Sequence, residues 1–248
     1  MTAPLLSLRG IAKSYGAVEA LKGVDFDVAA GEVLALCGDN GAGKSSLVKI
    51  LSGAHPPSAG RMLLRGEEVR FASPDEALRR GIATIYQDLA VAPRLSVAQN
   101  VFLGSELTRR VLGIPLLDKR RMAEQARGFL ARLAVSLPDM DQPVERLSGG
   151  QRQAVAISRA LRWDAGIIIM DEPTAALGVK ETAQVLDLIR RLHAEGRTVI
   201  LVSHAMADVA AVATRVVVLK AGRKVAERPV EGLSADALAH LVMTGGAA

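Results

Sequence analysis

The sequence predicts an α/β fold in which a mixed, largely parallel sheet carries a phosphate-binding loop. Residues 38–46, GDNGAGKSS, fit the pattern G-x-x-x-x-G-K-[ST]. They follow a short apolar run, Val33–Cys37, that is typical of a buried strand, and residues 46–51 can continue the loop as a helix. Two more short apolar runs, Ile167–Met170 and Thr198–Val202, indicate buried parallel strands.

Composition narrows the classes of protein that the chain can belong to. Its 248 residues suffice for one large α/β domain or two small lobes, and half of them are hydrophobic. Aromatic residues make up only 3%, so the core is expected to be aliphatic and platforms for stacking single-stranded nucleic acid are scarce. The net charge of +5 is compatible with a nucleotide, an anionic membrane surface or nucleic acid.

The expected location is the cytosol. The single cysteine, Cys37, excludes an internal disulfide and suits a reducing compartment, and its place at the end of an apolar strand predicts a buried, inert thiol. The first ten residues lack the basic start and the apolar segment of a signal peptide. No window approaches 18 uninterrupted apolar residues, so service to a membrane would require a partner.

Residues 1–88 are predicted to combine the loop with a small antiparallel sheet. Leu5–Arg9 is expected to form the first strand, Val24–Val28 alternates like a half-exposed antiparallel strand, and Arg61–Phe71 has the pattern of a hairpin. Ser73 and Pro74 can begin a short helix, and Ile82–Tyr86 reads as another buried strand.

The rest of the chain is predicted to be an inserted helical lobe followed by the second half of the core. Residues 89–158 show helical spacing in place of apolar β runs, with a helix beginning near Asp118. Its apolar face is expected to comprise Met122, Ala126, Phe129, Leu130 and Leu133. Residues 159–248 add the two parallel strands, an amphipathic helix ending at Gly196, a hairpin over 216–225 and a last helix over Ser234–Val242. We therefore expect a single domain, 1–248, with the core in 1–88 and 159–248.

The loop predicts binding of a nucleotide and a divalent cation. Glycines allow the backbone N–H groups to close around phosphate oxygens, Lys44 would reach the β and γ phosphates, and the Ser45 hydroxyl would bind Mg²⁺. The residues expected to hold the nucleotide here are Gly38, Asp39, Asn40, Gly41, Ala42, Gly43, Lys44, Ser45 and Ser46. A glycine-rich turn before an ordinary helix is the alternative.

An acidic pair follows the apolar run at 167–170. Two acids at the tip of a buried strand are costly unless they hold a cation or water. Beside a phosphate loop, Asp171 is expected to support Mg²⁺, and Glu172 to orient water or accept its proton. Alternatively, the pair begins a solvated turn before Pro173.

Residues 147–151, LSGGQ, form what is hereafter called the signature turn. Ser148 can cap a helix and Gln151 stands at the spacing of a capping box. The glycines leave the first N–H groups of that helix uncovered, which makes a second anion site at its positive end. Capping alone remains the alternative for these residues taken in isolation.

In this order, the phosphate loop, Gln87, the signature turn, the run IIIMDEPT and the strand ending at Ser203–His204 resemble the ATP-binding-cassette (ABC) ATPases from Tyr15 to about Val230. The resemblance implies a P-loop NTPase core with an antiparallel β subdomain and an inserted helical subdomain. It implies that Tyr15 stacks on adenine, that Gln87 contacts Mg²⁺ and water, and that His204 contacts the γ-phosphate. It further implies that the γ-phosphate of ATP held by another subunit is bound by Ser148, Gly149 and Gly150, beside Gln151.

One departure from the family pattern concerns the residues after DEPT. The family usually has Ser-Ala-Leu-Asp, whereas this chain has Ala-Ala-Leu-Gly, with Ala175 first and Gly178 last. A charged contact expected across the dimer is thereby lost. The runs MDEPTAALGVKET and IYQDLAVAPRLSVAQNVFLG are most similar to those of sugar importer ATPases, including a single-cassette branch for fructose- and ribose-type uptake.

The expected activity is ATP hydrolysis by a head-to-tail dimer, with Lys44, Gln87, Glu172 and His204 as the catalytic residues. The resemblance implies membrane permease subunits as partners, gripped near Gln87 on the inner face of the membrane, and indirectly a substrate-binding protein. No nucleic acid partner is expected. The alternatives are a soluble cassette ATPase acting on DNA or ribosomes, and an importer of a non-sugar solute. A small-molecule kinase fits the signature turn and His204 less well, and His55, His193 and His240 are expected to be surface residues.

Overall fold

The computed structural model describes residues 3–87, 89–111, 114–175 and 177–246. In chain order, the strands of these residues are β1 (Leu6–Tyr15), β2 (Val18–Val28), β3 (Val33–Cys37), β4 (Ala59–Leu64), β5 (Glu67–Val69), β6 (Ile82–Ile85), β7 (Thr108–Val111), β8 (Ile114–Leu117), β9 (Ile167–Asp171), β10 (Thr198–Val202), β11 (Arg215–Lys220) and β12 (Arg223–Pro229). The α-helices are α1 (Lys44–Leu51), α2 (Pro74–Arg79), α3 (Val97–Val101), α4 (Lys119–Arg132), α5 (Gly149–Arg162), α6 (Val179–Ala194), α7 (Met206–Val212) and α8 (Ala235–Thr244).

The central sheet has the strand order β12-β11-β3-β10-β9-β6. Its strands from β11 to β6 are parallel, and β12 closes one edge as the antiparallel partner of β11. Strands β3 and β10 are buried along their whole length, as expected for parallel strands covered on both faces. The parallel strands predicted at Ile167–Met170 and Thr198–Val202 are therefore confirmed.

Apolar cores lie on both faces of this sheet because alternate residues of a strand point to opposite sides. In β9, Ile168 and Met170 pack with the helices α3 to α6, whereas Ile167 and Ile169 pack with α1 and the antiparallel sheet. The core is almost entirely aliphatic, as the low aromatic content predicts.

The antiparallel sheet has the order β2-β1-β4-β5. Strand β1 is twice as long as the predicted segment, Leu5–Arg9. Register shifts against β2 between Leu8 and Ile11 break the simple alternation of buried and exposed residues, so the sequence pattern ends there although the strand continues. The hairpin of β1 and β2 carries Tyr15 at its tip.

The segment between β6 and β9 contains the predicted helix. Asp118 caps α4 by accepting the Arg121 N–H at 3.1 Å, and Met122, Ala126 and Leu130 are buried. The prediction that this segment lacks β structure is wrong, because β7 and β8 form an antiparallel pair. Strand β8 is exposed along its length, so no core-facing alternation marked it in the sequence.

Two further features concern the helices. Helix α7, which follows His204, was not predicted, since its seven residues are too few for a clear periodic pattern. Helix α5 runs unbroken through Ser158, where the sequence placed the boundary between lobe and core. Among the described residues, no helix combines the length and the apolar character needed to cross a membrane.

Candidate functional site

The predicted site residues gather at one edge of the central sheet. Strands β3, β6, β9 and β10 are parallel, so their carboxyl ends lie on the same side, where α/β proteins bind ligands. Strand β3 leads into the phosphate loop, and β9 ends at Asp171 beside Val202 of β10. Glu172 and His204 follow those two strands, and Gln87 follows β6.

The phosphate loop needs glycine at two positions where neighbouring backbone approaches closely. Gly38 has φ +149°, and a Cβ there would lie 2.2 Å from the Leu219 carbonyl oxygen. Gly43 has φ +105°, and its Cβ would lie 2.6 Å from the Ala20 carbonyl oxygen. Since Gly43 is the N-cap of α1 and has no side chain, the first N–H groups of α1 face the loop without a side-chain cap.

Lys44 lies inside the curl of the loop. Its Nζ donates to the carbonyl oxygens of Gly38, at 2.6 Å, and Asp39, at 3.2 Å, and the residue is 9% exposed. The carbonyl oxygens compensate the ammonium for lost water. Of the remaining loop residues, Asp39, Asn40, Gly41 and Ser45 are exposed, Ser46 is half-buried and Ala42 is buried.

Asp171 and Glu172 share the end of β9 but have different surroundings. Burial raises the pKa of Asp171, the charge of Glu172 raises it further, and Lys44 opposes both effects. Glu172 has φ +51°, a backbone conformation that costs energy for a residue with a side chain. Its N–H donates to Val202 O at 2.9 Å, which places its side chain at the end of β10.

Glu172 and His204 are in direct contact. Oε2 of Glu172 lies 2.7 Å from Nδ1 of His204, and the side chains are 17% and 70% exposed, respectively. His204 also lines a cavity of about 370 Å³ together with Gly38, Asp39 and Asn40. The structure thus brings the phosphate loop, the acidic pair and the histidine together, as the sequence predicted.

The donor set fits a divalent cation only in combination with a ligand. The described residues contain no group of three His, Cys, Asp or Glu side chains arranged to hold a metal. Burial and the charge of Glu172 raise the pKa of Asp171 despite the nearby charges of Lys44 and Lys49, so further positive charge here would favour the ionised carboxylate. A cation that bridges this carboxylate and phosphate oxygens would supply that charge.

Tyr15 is 40% exposed and contacts a histidine. Its Oη shares a 3.2 Å hydrogen bond with His55 Nδ1, the two rings meet edge to face with centroids 5.8 Å apart, and Lys13 Nζ lies 5.2 Å from the tyrosine ring centroid. His55 is half-buried at the surface, where it makes this contact, and His193 and His240 are exposed, as expected for surface residues. The contact joins residues far apart in sequence and left no local signal.

Gln87 is exposed and stands beside a groove between the core and the helical segment. The groove has a volume of about 370 Å³, and its apolar lining includes Leu78, Leu89, Leu103 and Trp163. Arg159 links its walls by donating to the Asn100 carbonyl oxygen at 3.1 Å and to the Ala90 carbonyl oxygen at 3.3 Å. Trp163 closes part of this lining.

The signature turn is the N-terminus of α5. Ser148 Oγ accepts the Gln151 N–H at 3.3 Å, and Gln151 Oε1 accepts the Ser148 N–H at 3.0 Å, so the predicted capping box is confirmed. The Gly149 N–H donates to Glu181 Oε1 at 2.9 Å, and the Arg152 N–H donates to the Ser148 carbonyl oxygen. Of the first four N–H groups of α5, only that of Gly150 lacks an acceptor among the described residues.

The signature turn and the phosphate loop of the same chain do not form one site. In the part of the chain that the structure describes, the hydrogen bonds of the signature turn stay within the start of α5 or lead to Val144 and Glu181, and none reaches residues 38–46. An anion at the Gly150 N–H and Ser148 Oγ would therefore be bound apart from the phosphate loop of the same chain.

Cys37 is fully buried under the loop. Burial raises the pKa of its thiol to about 12, with Glu172 adding to the rise and Lys44 opposing it. The predicted burial of this thiol is thereby confirmed, and its inertness stays a prediction.

Known proteins resemble this chain over nearly its whole length. The ABC transporter family matches residues 21–175. The fructose import ATP-binding protein FrcA of Rhizobium meliloti is 46% identical over 247 residues, which cover 98% of this chain and 94% of that protein. The xylose/arabinose import ATP-binding protein XylG of Sulfolobus acidocaldarius is 44% identical, with coverage of 96% and 93%.

A solved structure shows the same fold. The dimeric, post-hydrolysis ATP-binding cassette MJ0796, bound to ADP and Pi, superimposes with a TM-score of 0.75 at 26% identity, covering 92% of this chain and 100% of that one. The family match, the near-complete relatives and the shared architecture agree with the phosphate loop and signature turn described above. The chain belongs to the ABC transporter family.

Proposed function

We propose that this protein is the ATP-hydrolysing subunit of an importer that takes up a monosaccharide. The observation that carries the proposal is the contact between Glu172 and His204 at the sheet edge that holds Lys44 and the phosphate loop. Two relatives that match nearly the whole chain are named as import ATP-binding proteins for fructose and for xylose/arabinose. Their names support a sugar as the transported solute.

The phosphate loop binds the triphosphate of ATP. Lys44 exchanges its bonds with the Gly38 and Asp39 carbonyl oxygens for phosphate oxygens, and the N–H groups at the start of α1 supply further donors. Ser45 and Asp171 would hold a Mg²⁺ ion, with Gln87 nearby, and the ion would supply positive charge to offset that of the phosphates. Tyr15 stacks on the adenine, and His55 fixes the angle of the tyrosine ring.

Hydrolysis needs a positioned water more than covalent chemistry. Glu172 accepts a hydrogen bond from the water that attacks the γ-phosphate and takes its proton as the bond to the β-phosphate breaks. His204, which contacts Glu172 through Nδ1, presents the other side of its exposed ring to the γ-phosphate. The surrounding structure holds Glu172 in its unfavourable backbone conformation, which fixes this carboxylate at the strand end.

A second copy of the chain completes each site. The signature turn offers Ser148 Oγ and the Gly150 N–H to the γ-phosphate bound by the partner's loop, and two such sites form when the copies pack head to tail. The Gly149 N–H is engaged by Glu181, so Gly149 contributes space and Gln151 contributes the cap. MJ0796, a cassette of the same fold, is dimeric with ADP and Pi.

The groove beside Gln87 receives a short helix of the membrane permease. One side of the groove belongs to the core, through Leu78 and β6, and the other belongs to the helical segment, through Leu103 and α5. A helix seated there would sense rotation between these parts because it touches both. Docking would place the protein on the inner face of the membrane, with a substrate-binding protein on the far side.

The proposal is tested with the tagged protein in detergent extracts of cells that lack the native gene. We expect wild type to co-purify with a multi-spanning permease and to restore uptake of a monosaccharide. Leu103→Glu in the groove should lose the permease, whereas the matched Ile114→Glu on exposed β8 should keep it. The proposal would be contradicted if wild type co-purified with ribosomes or DNA instead of a permease. It would also be contradicted if Leu103→Glu kept both the permease and the uptake.

A further inference from the structure

The carboxylate of Glu181 joins the N-termini of two helices. Its Oε1 accepts the Gly149 N–H at the start of α5 at 2.9 Å, and its Oε2 accepts the Gly178 N–H at the start of α6 at 3.3 Å. Helix N-termini carry partial positive charge, so one carboxylate is favourable to both. Glu181 is half-buried between them.

The signature turn is also in close contact with the segment that contains Glu181. A Cβ at Gly149 would lie 2.5 Å from Leu177 Cδ2, and one at Gly150 would lie 2.6 Å from Gln184 Oε1. The two glycines thus allow the first turn of α5 to pack directly on residues 177–184. The hydrogen bond that Glu181 accepts from the Gly149 N–H fixes the register of this contact.

The described residues shortly before this segment contact the proposed catalytic residues. Glu172 contacts His204 at 2.7 Å. Thr174 Oγ1 donates to Asp208 Oδ2 at 2.7 Å, and Asp208 lies on α7, directly after His204. On one side, Thr174 thus contacts α7 beside His204, and on the other, Glu181 contacts the signature turn.

We propose that Glu181 is a positioning residue that couples the signature turn to the Glu172 end of the same chain. It keeps Ser148 Oγ and the Gly150 N–H in place for the nucleotide bound by a second copy. It also supplies a carboxylate three residues beyond Gly178. This inference rests on the proposed function, in which each nucleotide site is a composite site that a second copy of the chain completes.

The coupling predicts different effects on ATP binding to a single chain and on dimer formation, whereas a purely structural role would affect both. Glu181 does not contact the phosphate loop, so its removal should leave ATP binding to a single chain unchanged. It should weaken only the step in which two copies share the nucleotide. Loss of the carboxylate should therefore lower kcat and dimer affinity without changing the ATP dissociation constant of the monomer.

The test compares Glu181→Ala with the matched control Glu76→Ala. For assays of dimer formation, each substitution is combined with Glu172→Gln in the same chain, and kcat is measured without Glu172→Gln. Glu76 occupies the third position of α2 and accepts the Ala72 N–H at 2.7 Å, so it is a helix-capping glutamate without contact to the signature turn. We expect similar losses in melting temperature for the two variants. ATP-dependent dimerisation should weaken at least tenfold for Glu181→Ala and remain unchanged for Glu76→Ala.

Two further variants keep the inference falsifiable. Glu181→Gln retains one acceptor for the Gly149 N–H but loses the charge, so it should fold and show an intermediate dimer affinity. If Glu181→Ala does not fold, Glu181→Asp is compared with Glu76→Ala in its place. Dimerisation and kcat equal to those of Glu76→Ala would overturn the inference. Failure of the parent Glu172→Gln protein to dimerise with ATP would instead overturn the composite site itself.

Discussion

Glu172 and His204 touch across the ends of two neighbouring parallel strands, with Oε2 and Nδ1 2.7 Å apart. The register of the central sheet makes this contact, since Asp171 pairs with Val202 and the next residues of both strands extend past the sheet edge. A carboxylate and an imidazole held this way can together bind one water and one phosphate oxygen. The proposed hydrolysis depends on this pair.

Glu172→Gln should bind ATP but hardly hydrolyse it. Glutamine preserves the shape and one acceptor but removes the basic oxygen, and a general base typically contributes about 10²–10⁴-fold to the rate. Phosphate release should fall by that range while the ATP dissociation constant stays within a few-fold of wild type. Turnover at the wild-type rate would show that another group activates the water.

Lys44→Ala should lose ATP affinity. A hydrogen bond to a charged group contributes about 1.5–3 kcal/mol, which corresponds to roughly 10–150-fold in affinity. The matched control is Lys49→Ala, which removes an exposed lysine from the same helix, α1. Calorimetric titration should separate the two variants; equal affinities would refute the role of the phosphate loop.

Asp171→Asn should stabilise the nucleotide-free protein at neutral pH while impairing Mg²⁺-dependent turnover. Burial and the charge of Glu172 raise the pKa of Asp171 above its ordinary value of 3.8 in the folded protein. Its favourable contribution to folding is thus fully present below pH 3.8 and is lost as the pH rises through the raised pKa. At neutral pH the ionised carboxylate opposes folding, and the uncharged amide does not.

Thermal melts of Asp171→Asn and wild type at several pH values check this prediction. The melting temperature of the variant should exceed that of wild type at pH 7.5, and the difference should shrink toward pH 4. A variant that melts below wild type at pH 7.5 would mean that Asp171 makes stabilising bonds in its ionised form.

Cys37 should resist thiol reagents in the native protein. With a pKa of about 12, only about one thiol in ten thousand is ionised at pH 8, and the side chain is fully buried. Maleimide labelling followed by mass spectrometry should give slow modification that becomes rapid in urea. Rapid labelling without denaturant would show that the strand under the phosphate loop opens readily.

The motifs could be placed from the sequence because their chemistry is local. The loop glycines, the acids after β9 and the capping box of Ser148 and Gln151 are each encoded within a few consecutive residues, and the structure forms the strand–loop and helix-cap geometry predicted for them. The hydrophobic spacing at Met122, Ala126 and Leu130 likewise identified α4 and its buried face.

Features that arise from tertiary contacts had no such signal. Tyr15 meets His55 only because the β1–β2 hairpin folds over the end of α1, and Glu181 reaches Gly149 only because α6 packs beside α5. The β7–β8 pair escaped prediction because Ile114, Leu116 and Leu117 remain exposed and follow no core-facing alternation. In each case the missing information is the arrangement of elements rather than the residues within them.

The most direct test of the composite site measures the mass of Glu172→Gln in solution with ATP. That mass is compared with the mass of a double variant that carries both Glu172→Gln and Ser148→Arg. Ser234→Arg in the Glu172→Gln background is the matched control, since Ser234 also caps a helix through its side chain, at α8. By sedimentation we expect twice the single-chain mass of 26.1 kDa for Glu172→Gln and for the control. The Ser148→Arg variant should bind ATP yet remain a single chain; a dimer as stable as that of the control would contradict the account.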